Sequence, residues 1–262
     1  MSALGGRVAV VLLALWFALP LVPLGLWSVA DRWPAGAALP TQWGWSGWQQ
    51  AVAEGGLPAL GRSAALGLAV AALATPLGAL AGRALAWGRS RWHGVSAALL
   101  LLPVALPPFA LAMGLDVLLL RLGIPGLVAV VGLLVAYAVP YTTYVLRSAY
   151  AVTDPQLEDQ ARMLGATGTQ ALRTVTLPVL APALLAAAAL AFLVGWSDYV
   201  VTVVIGGGRL VTAPVLVAAG ASGLGNEPVV AVLSTLMVVP LVAAVLTAPL
   251  VARSLEASRT RR

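Results

Sequence analysis

The chain has 262 residues, of which 61% are hydrophobic and 9% charged, and it carries a formal net charge of +6. A soluble domain carries roughly 25% charged residues, so most of this sequence is suited to lipid as its solvent. There are no cysteines, which excludes disulfides, thiolate metal sites and cysteine nucleophiles. All 15 basic residues are arginine, which excludes Schiff-base chemistry and the lysine of a phosphate-binding P-loop. The arginines sit at the ends of apolar runs, the pattern of topological charge, and no nucleic-acid surface is expected.

A membrane-crossing helix needs about 20 mostly apolar residues. Six such runs occur, near 8–30, 63–87, 95–119, 126–147, 178–204 and 228–251. They predict an all-α, polytopic transmembrane bundle forming a single domain over 1–262. The first run follows Arg7 and is longer than the roughly 7–15 residues of a signal-peptide core, so it is expected to stay as a span. With both termini in the cytoplasm, Arg7, Arg83, Arg89, Arg91, Arg147, Arg162, Arg173, Arg253, Arg259, Arg261 and Arg262 lie inside, and Arg32, Arg62, Arg121 and Arg209 outside. Eleven against four follows the bias of basic residues toward the inner side, and an even number of spans agrees with it.

The outer segment 31–62 holds Trp33, Trp43, Trp45 and Trp48. Tryptophan favours the membrane–water boundary, and a short helix over Trp45–Glu54 is expected there. A sugar-binding box of tryptophans is the sharper alternative. Gly78 and Gly82 in the second run are four apart, a spacing that lets helices approach closely in lipid, either within the bundle or at a dimer seam. The third run contains Pro103, Pro107 and Pro108, which break a helix. Such a break serves either packing or a substrate path. The single histidine, His93, has no partner spacing for a metal and reads as an interface residue. No catalytic and no metal site is expected.

Asp116 and Asp198 are the most membrane-embedded acids. Intramembrane acids pair with something or line a pathway. Both suit attraction of a cation. The plainer alternatives are that Asp198 caps a helix break and that Asp116 sits at the outer interface near Arg121.

The most polar stretch is the loop at 151–178, with its end at Pro182. Asp154 and Pro155 make an N-cap with proline at the first helical position. Leu157, Ala161 and Leu164 follow at i, i+4 and i+7 as an apolar stripe, with Glu158, Asp159, Gln160 and Arg162 expected to face away. Gly165 suits a helix end. Thr167 and Gln170 have capping-box spacing for a second helix, with Ala171, Leu172 and Val175 on one side and Leu177–Pro178 expected to end it. Two helices this short are marginal alone, so the loop must pack on its own chain or on a partner.

This loop resembles the EAA loop of binding-protein-dependent ABC importer permeases. Asp159, Gln160 and Ala161 stand at the E-A-A positions, after Glu158. Gly165, Leu177 and Pro178 match, and Val175 stands at the isoleucine position. Asp for Glu keeps the charge on a shorter arm, and Gln for Ala is bulkier. The resemblance implies the type I ABC importer permease fold in a bacterial inner membrane. It implies half of a translocation pathway, a second and homologous permease subunit, an extracytoplasmic substrate-binding protein, and a cytoplasmic ATPase dimer that carries ATP and magnesium. It places Glu158, Asp159, Gln160, Ala161, Leu164, Gly165, Leu177 and Pro178 at the ATPase contact, with no cofactor on this chain.

The run Phe192–Thr202, with Trp196, Ser197, Asp198 and Tyr199, is similar to the spermidine/putrescine-type permeases, as is Leu210–Val215. That similarity implies a small cation as cargo, with Trp196, Ser197, Asp198 and Tyr199 along its path, to which the embedded acid Asp116 is added as a candidate. Ferric iron, thiamine or a phosphonate are the alternatives within the same machinery. A self-contained secondary transporter or channel is the alternative class.

Overall fold

The computed structural model describes residues 8–9, 12–13, 15–16, 18–34, 36–88, 91–223 and 225–259, with side chains as far as residue 243. The expected span 8–30 lies partly outside the described residues, and α1 (Leu21–Ser28) is its described helix. The order continues with β1 (Ala30–Arg32), β2 (Gln42–Trp43), α2 (Ser46–Ala53), α3 (Gly56–Trp87), α4 (His93–Ala105), α5 (Pro108–Arg121) and α6 (Gly126–Ala151). Then come α7 (Gln156–Met163), α8 (Gly168–Trp196), α9 (Val200–Gly206), α10 (Ala213–Ala221) and α11 (Glu227–Arg259). Among the described residues the architecture is helical, apart from one antiparallel pair of very short strands. Two compact units divide the chain: residues 1–61 with 211–242, and residues 62–210 with 243–262.

In the first unit, the expected surface helix appears as α2. Its start is fixed by Asp31, whose Oδ1 accepts hydrogen bonds from the Ser46 hydroxyl at 2.6 Å and the Ser46 N–H at 3.0 Å. These two donors hold the Asp31 carboxyl below its ordinary range. Trp27 packs against Trp33, and Trp45 against Trp48. α2 lies against the start of α11, where Ala51, Val229, Val232 and Leu233 are buried together. The approach is close: a Cβ on Gly47 would fall 2.7 Å from that of Pro228.

In the second unit, α3, α6 and α8 are each long and apolar enough to cross a membrane. α6 is the central one, with 56% of its apolar window buried against 28% for α3 and 17% for α8. Its residues Val130, Leu134, Tyr137 and Ala138 pack with Val70, Ala74, Ala191 and Val201. Small residues bring the backbones together, as lipid-embedded helices require. A side chain on Gly78 would strike Thr142 of α6, and one on Gly82 would fall 3.0 Å from the Thr143 carbonyl. The Thr142 hydroxyl donates to the Ala74 carbonyl at 3.1 Å. The Gly78–Gly82 pair is therefore a seam within the chain. Gly67 and Gly195 make a second crossing, between α3 and α8, with a Cβ on Gly195 only 2.8 Å from the Gly67 Cα.

Two expected spans are broken. Over 95–119, α4 and α5 meet at 94°. Leu106 (φ −89°, ψ 137°) and Pro107 (φ −58°, ψ 127°) are both extended, because each precedes a proline, which disfavours the helical region. Over 178–204, α8 stops at Trp196 and α9 begins at Val200. The expected last span, 228–251, falls within α11.

Candidate functional site

The loop after α6 folds locally much as its sequence directs. The Asp154 carboxylate accepts the Gln156 N–H at 2.9 Å and so caps α7 one residue outside the helix proper. Gly165 takes a φ of +93° and turns the chain out of α7. The capping box forms in full, with the Thr167 hydroxyl accepting the Gln170 N–H at 3.3 Å and the Gln170 side chain accepting the Thr167 N–H at 2.8 Å.

The structure corrects two expectations. Leu177–Pro178 does not end a second short helix. The chain runs as one helix, α8, through a π turn over Leu172–Thr176, where the Leu177 N–H reaches back to the Leu172 carbonyl. A proline ring clashes with the carbonyl four residues before it. A turn widened by one residue just before Pro178 relieves that clash.

The second correction concerns Glu158. It was expected on the outward face and is instead the one buried residue of α7. Its Oε2 pairs with Arg83 of α3 at 2.7 Å. Its Oε1 accepts the Thr176 hydroxyl of the π turn at 2.6 Å, and Thr176 is itself buried. Arg83 lies 5.0 Å from the Trp87 ring centre. The Trp87 indole N–H donates to the Tyr150 carbonyl at 2.9 Å, and the Trp87 and Tyr150 rings meet edge-on at 4.9 Å. A buried carboxylate costs several kcal/mol unless paired and hydrogen-bonded, and here both oxygens are engaged.

The apolar stripe behaves in the opposite way. Leu164 is 90% exposed, Met163 79% and Leu157 37%. Leu157 also lines a cleft of about 450 Å³ with Ala149, Val152, Val179, Leu180 and Pro182. Asp159 and Gln160 are exposed and Ala161 is half-buried, while Leu177 and Pro178 are exposed. The loop therefore presents bare apolar side chains and Asp159 outward, while Asp154 caps α7 and Glu158 is bolted into the bundle. Sequence periodicity marked the outward groups but missed Arg83, Thr176, Trp87 and Tyr150. Their partners lie far along the chain, 75 residues in the case of Arg83 and Glu158.

Of the residues expected along a cargo path, Trp196, Ser197, Asp198 and Tyr199 lie at the break between α8 and α9, and Asp116 lies on α5. Asp198 lies in the break between α8 and α9 and caps α9, with Oδ2 accepting the Thr202 N–H and hydroxyl, both at 2.8 Å. The plainer reading of Asp198 as a cap is thus the one its geometry displays. Trp196 is buried and stacks on Phe192 at 5.7 Å. The Ser197 hydroxyl donates to the Leu193 carbonyl at 2.7 Å, and Tyr199 is exposed. Asp116 is half-buried on α5. Among the described residues, no three His, Cys, Asp or Glu side chains cluster to hold a metal.

The profile of the family described as "binding-protein-dependent transport system inner membrane component" matches residues 74–256. The chain belongs to this family. It is thus a membrane component of a binding-protein-dependent transport system, which sets aside the self-contained transporter or channel. It is similar to the trehalose transport system permease protein SugB of Mycobacterium tuberculosis, at 32% identity over 169 residues. That match covers 61% of this chain and 59% of the relative, so this permease spans less than two thirds of the relative's length. Its fold is similar to a chain in the crystal structure of a bacterial ABC transporter involved in the import of the acidic polysaccharide alginate. The TM-score is 0.66 and the identity 18%, over 97% of this permease and 98% of that chain. The type I permease fold agrees with this likeness.

Proposed function

We propose that this permease forms half of a translocation pathway with a second, homologous subunit and is driven by a separate cytoplasmic ATPase dimer docked on the loop 154–178. ATP and magnesium reside on that dimer, and this chain binds no cofactor. Cargo arrives from an extracytoplasmic binding protein, in a bacterial inner membrane with both termini inside. The observation that carries this reading is the exposed apolar edge of α7, Leu157, Met163 and Leu164. A helix of eight residues with so much bare apolar surface gains from burial against a partner, at roughly 25 cal/mol for each Å² covered.

For the cargo, the names of the relatives support a carbohydrate. They lend no support to the polyamine that the 192–202 run suggested, and Asp198 already spends its carboxylate on capping α9. The test is co-expression with a cognate ATPase and binding protein, followed by purification and uptake in proteoliposomes. The ATPase should co-purify with this permease. Labelled disaccharide should be taken up in an ATP-dependent way, with no competition from putrescine. An isolated permease that recruits no ATPase would sink the coupling reading, and competition by putrescine the carbohydrate one.

A further inference from the structure

The docking helix α7 is joined to the bundle covalently by two short linkers, 152–155 and 164–167. The second contains Gly165, in a left-handed conformation that only glycine adopts without strain. Linkers of this kind transmit force poorly. The side-chain contacts at the root of α7 add ties to the bundle that the linkers do not provide. Both oxygens of Glu158 are engaged, one by Arg83 of α3 and one by Thr176 of α8. Arg83 also lies beside Trp87, and Trp87 is bonded to the last turn of α6 through the Tyr150 carbonyl. One buried carboxylate thus ties α7 to α3 and α8 at a single level, and α3 is tied there to α6. The π turn takes part, since Thr176 is its last residue and the widened turn sets the direction of that side chain.

We infer that Glu158, Arg83 and Thr176 form a clamp that makes α7 and the inner end of α3 one rigid body. Motion imposed on the docking helix then enters the bundle through α3 as well as through the spans that flank the loop. Glu158 is accordingly a positioning residue and not an ATPase contact, despite its place in the motif. This inference rests on the coupling role proposed above.

The experiment uses the complete complex of both permease subunits, ATPase and binding protein in proteoliposomes. The variants are Glu158→Gln, Arg83→Gln and the two combined, with Thr176→Val and Thr176→Ser beside them. Four quantities are read: ATPase retained on purification, ATP hydrolysed, maximal uptake, and KM for the loaded binding protein. Glu158→Gln and Arg83→Gln should each retain the ATPase and the KM while cutting maximal uptake about tenfold, within the usual range of coupling between sites. ATP consumed per molecule imported should rise accordingly. The double variant should be no worse than either single, because one interaction is lost in all three. Thr176→Val, nearly identical in shape, should lower uptake, and Thr176→Ser should restore it. Unchanged uptake, additive losses in the double variant, or an ATPase that falls off Glu158→Gln would each overturn the clamp alone. A wild-type complex that holds no ATPase would overturn the coupling reading and the clamp with it.

Discussion

At position 165 the backbone, not the surroundings, dictates the residue. Gly165 has a φ of +93°, and a Cβ placed there would meet nothing within 4 Å. A side chain therefore costs only backbone strain, about 1–2 kcal/mol for alanine. Proline is worse on two counts. Its ring fixes φ near −65°, and it deletes the N–H that donates to the Arg162 carbonyl at 3.0 Å. The expected order of uptake is wild type, then Gly165→Ala, then Gly165→Pro with none. In the proline variant ATP hydrolysis should continue without import, since the ATPase turns over but the loop angle is wrong. Uptake and hydrolysis measured side by side check this, and normal import by Gly165→Pro would remove any coupling role for the turn. Groups whose partners are close in sequence were legible from the start. Asp154 caps two residues on, and Thr167 and Gln170 are three apart. Glu158 was misread because helical periodicity assigns a charge to the solvent side by default, and its partners lie 75 and 18 residues away.

At the scale of elements, prolines announce a break without fixing its consequence. Pro107–Pro108 turns α4 from α5 by 94°, whereas the π turn before Pro178 lets α8 continue. The difference lies in the residue ahead. Pro107 is itself forced to be extended by Pro108, so two residues in a row leave the helical region, and no widened turn can absorb both. Replacing Pro107 and Pro108 together by alanine should let α4 and α5 fuse. With a rise of about 1.5 Å per residue, label sites at 93 and 121 lie roughly 30 Å apart across a right-angle bend and roughly 42 Å apart along a straight helix. Two introduced cysteines would be the only ones in the chain, so spin-label distance measurement reads this directly. An unchanged distance would mean that packing of α4 on α6 and of α5 on α9, and not the prolines, holds the bend.

At the scale of the molecule, the arginine bias and the geometry of the second unit agree on which ends share a side. α6 has 26 residues, about 39 Å at the usual rise, which exceeds a hydrocarbon core of roughly 30 Å. It therefore serves as a ruler. At its end lie Arg147 and Tyr150, with Tyr150, Trp87, Arg83 and Glu158 tied together by the contacts of the clamp. At its start, Gly126 approaches the Ile205 carbonyl, where a Cβ would fall 3.3 Å away, with Arg121 and Arg209 a few residues along the chain. In the second unit Arg83 and Arg147, assigned inside from sequence, thus lie at one end of α6, and Arg121 and Arg209, assigned outside, lie near the other. The expected sidedness comes from sequence alone, because charge bias is a sum over many residues and tolerates local departures such as the two broken spans. Single cysteines test it against an otherwise cysteine-free background. Leu122→Cys, at a site 64% exposed, should react with a membrane-impermeant maleimide added to intact spheroplasts. Thr169→Cys, in the exposed first turn of α8, should react only once the membrane is opened. The reverse pattern would turn the chain over. It would put the docking loop out of reach of any cytoplasmic ATPase, and the exposed edge of α7 would then have to face an extracytoplasmic partner.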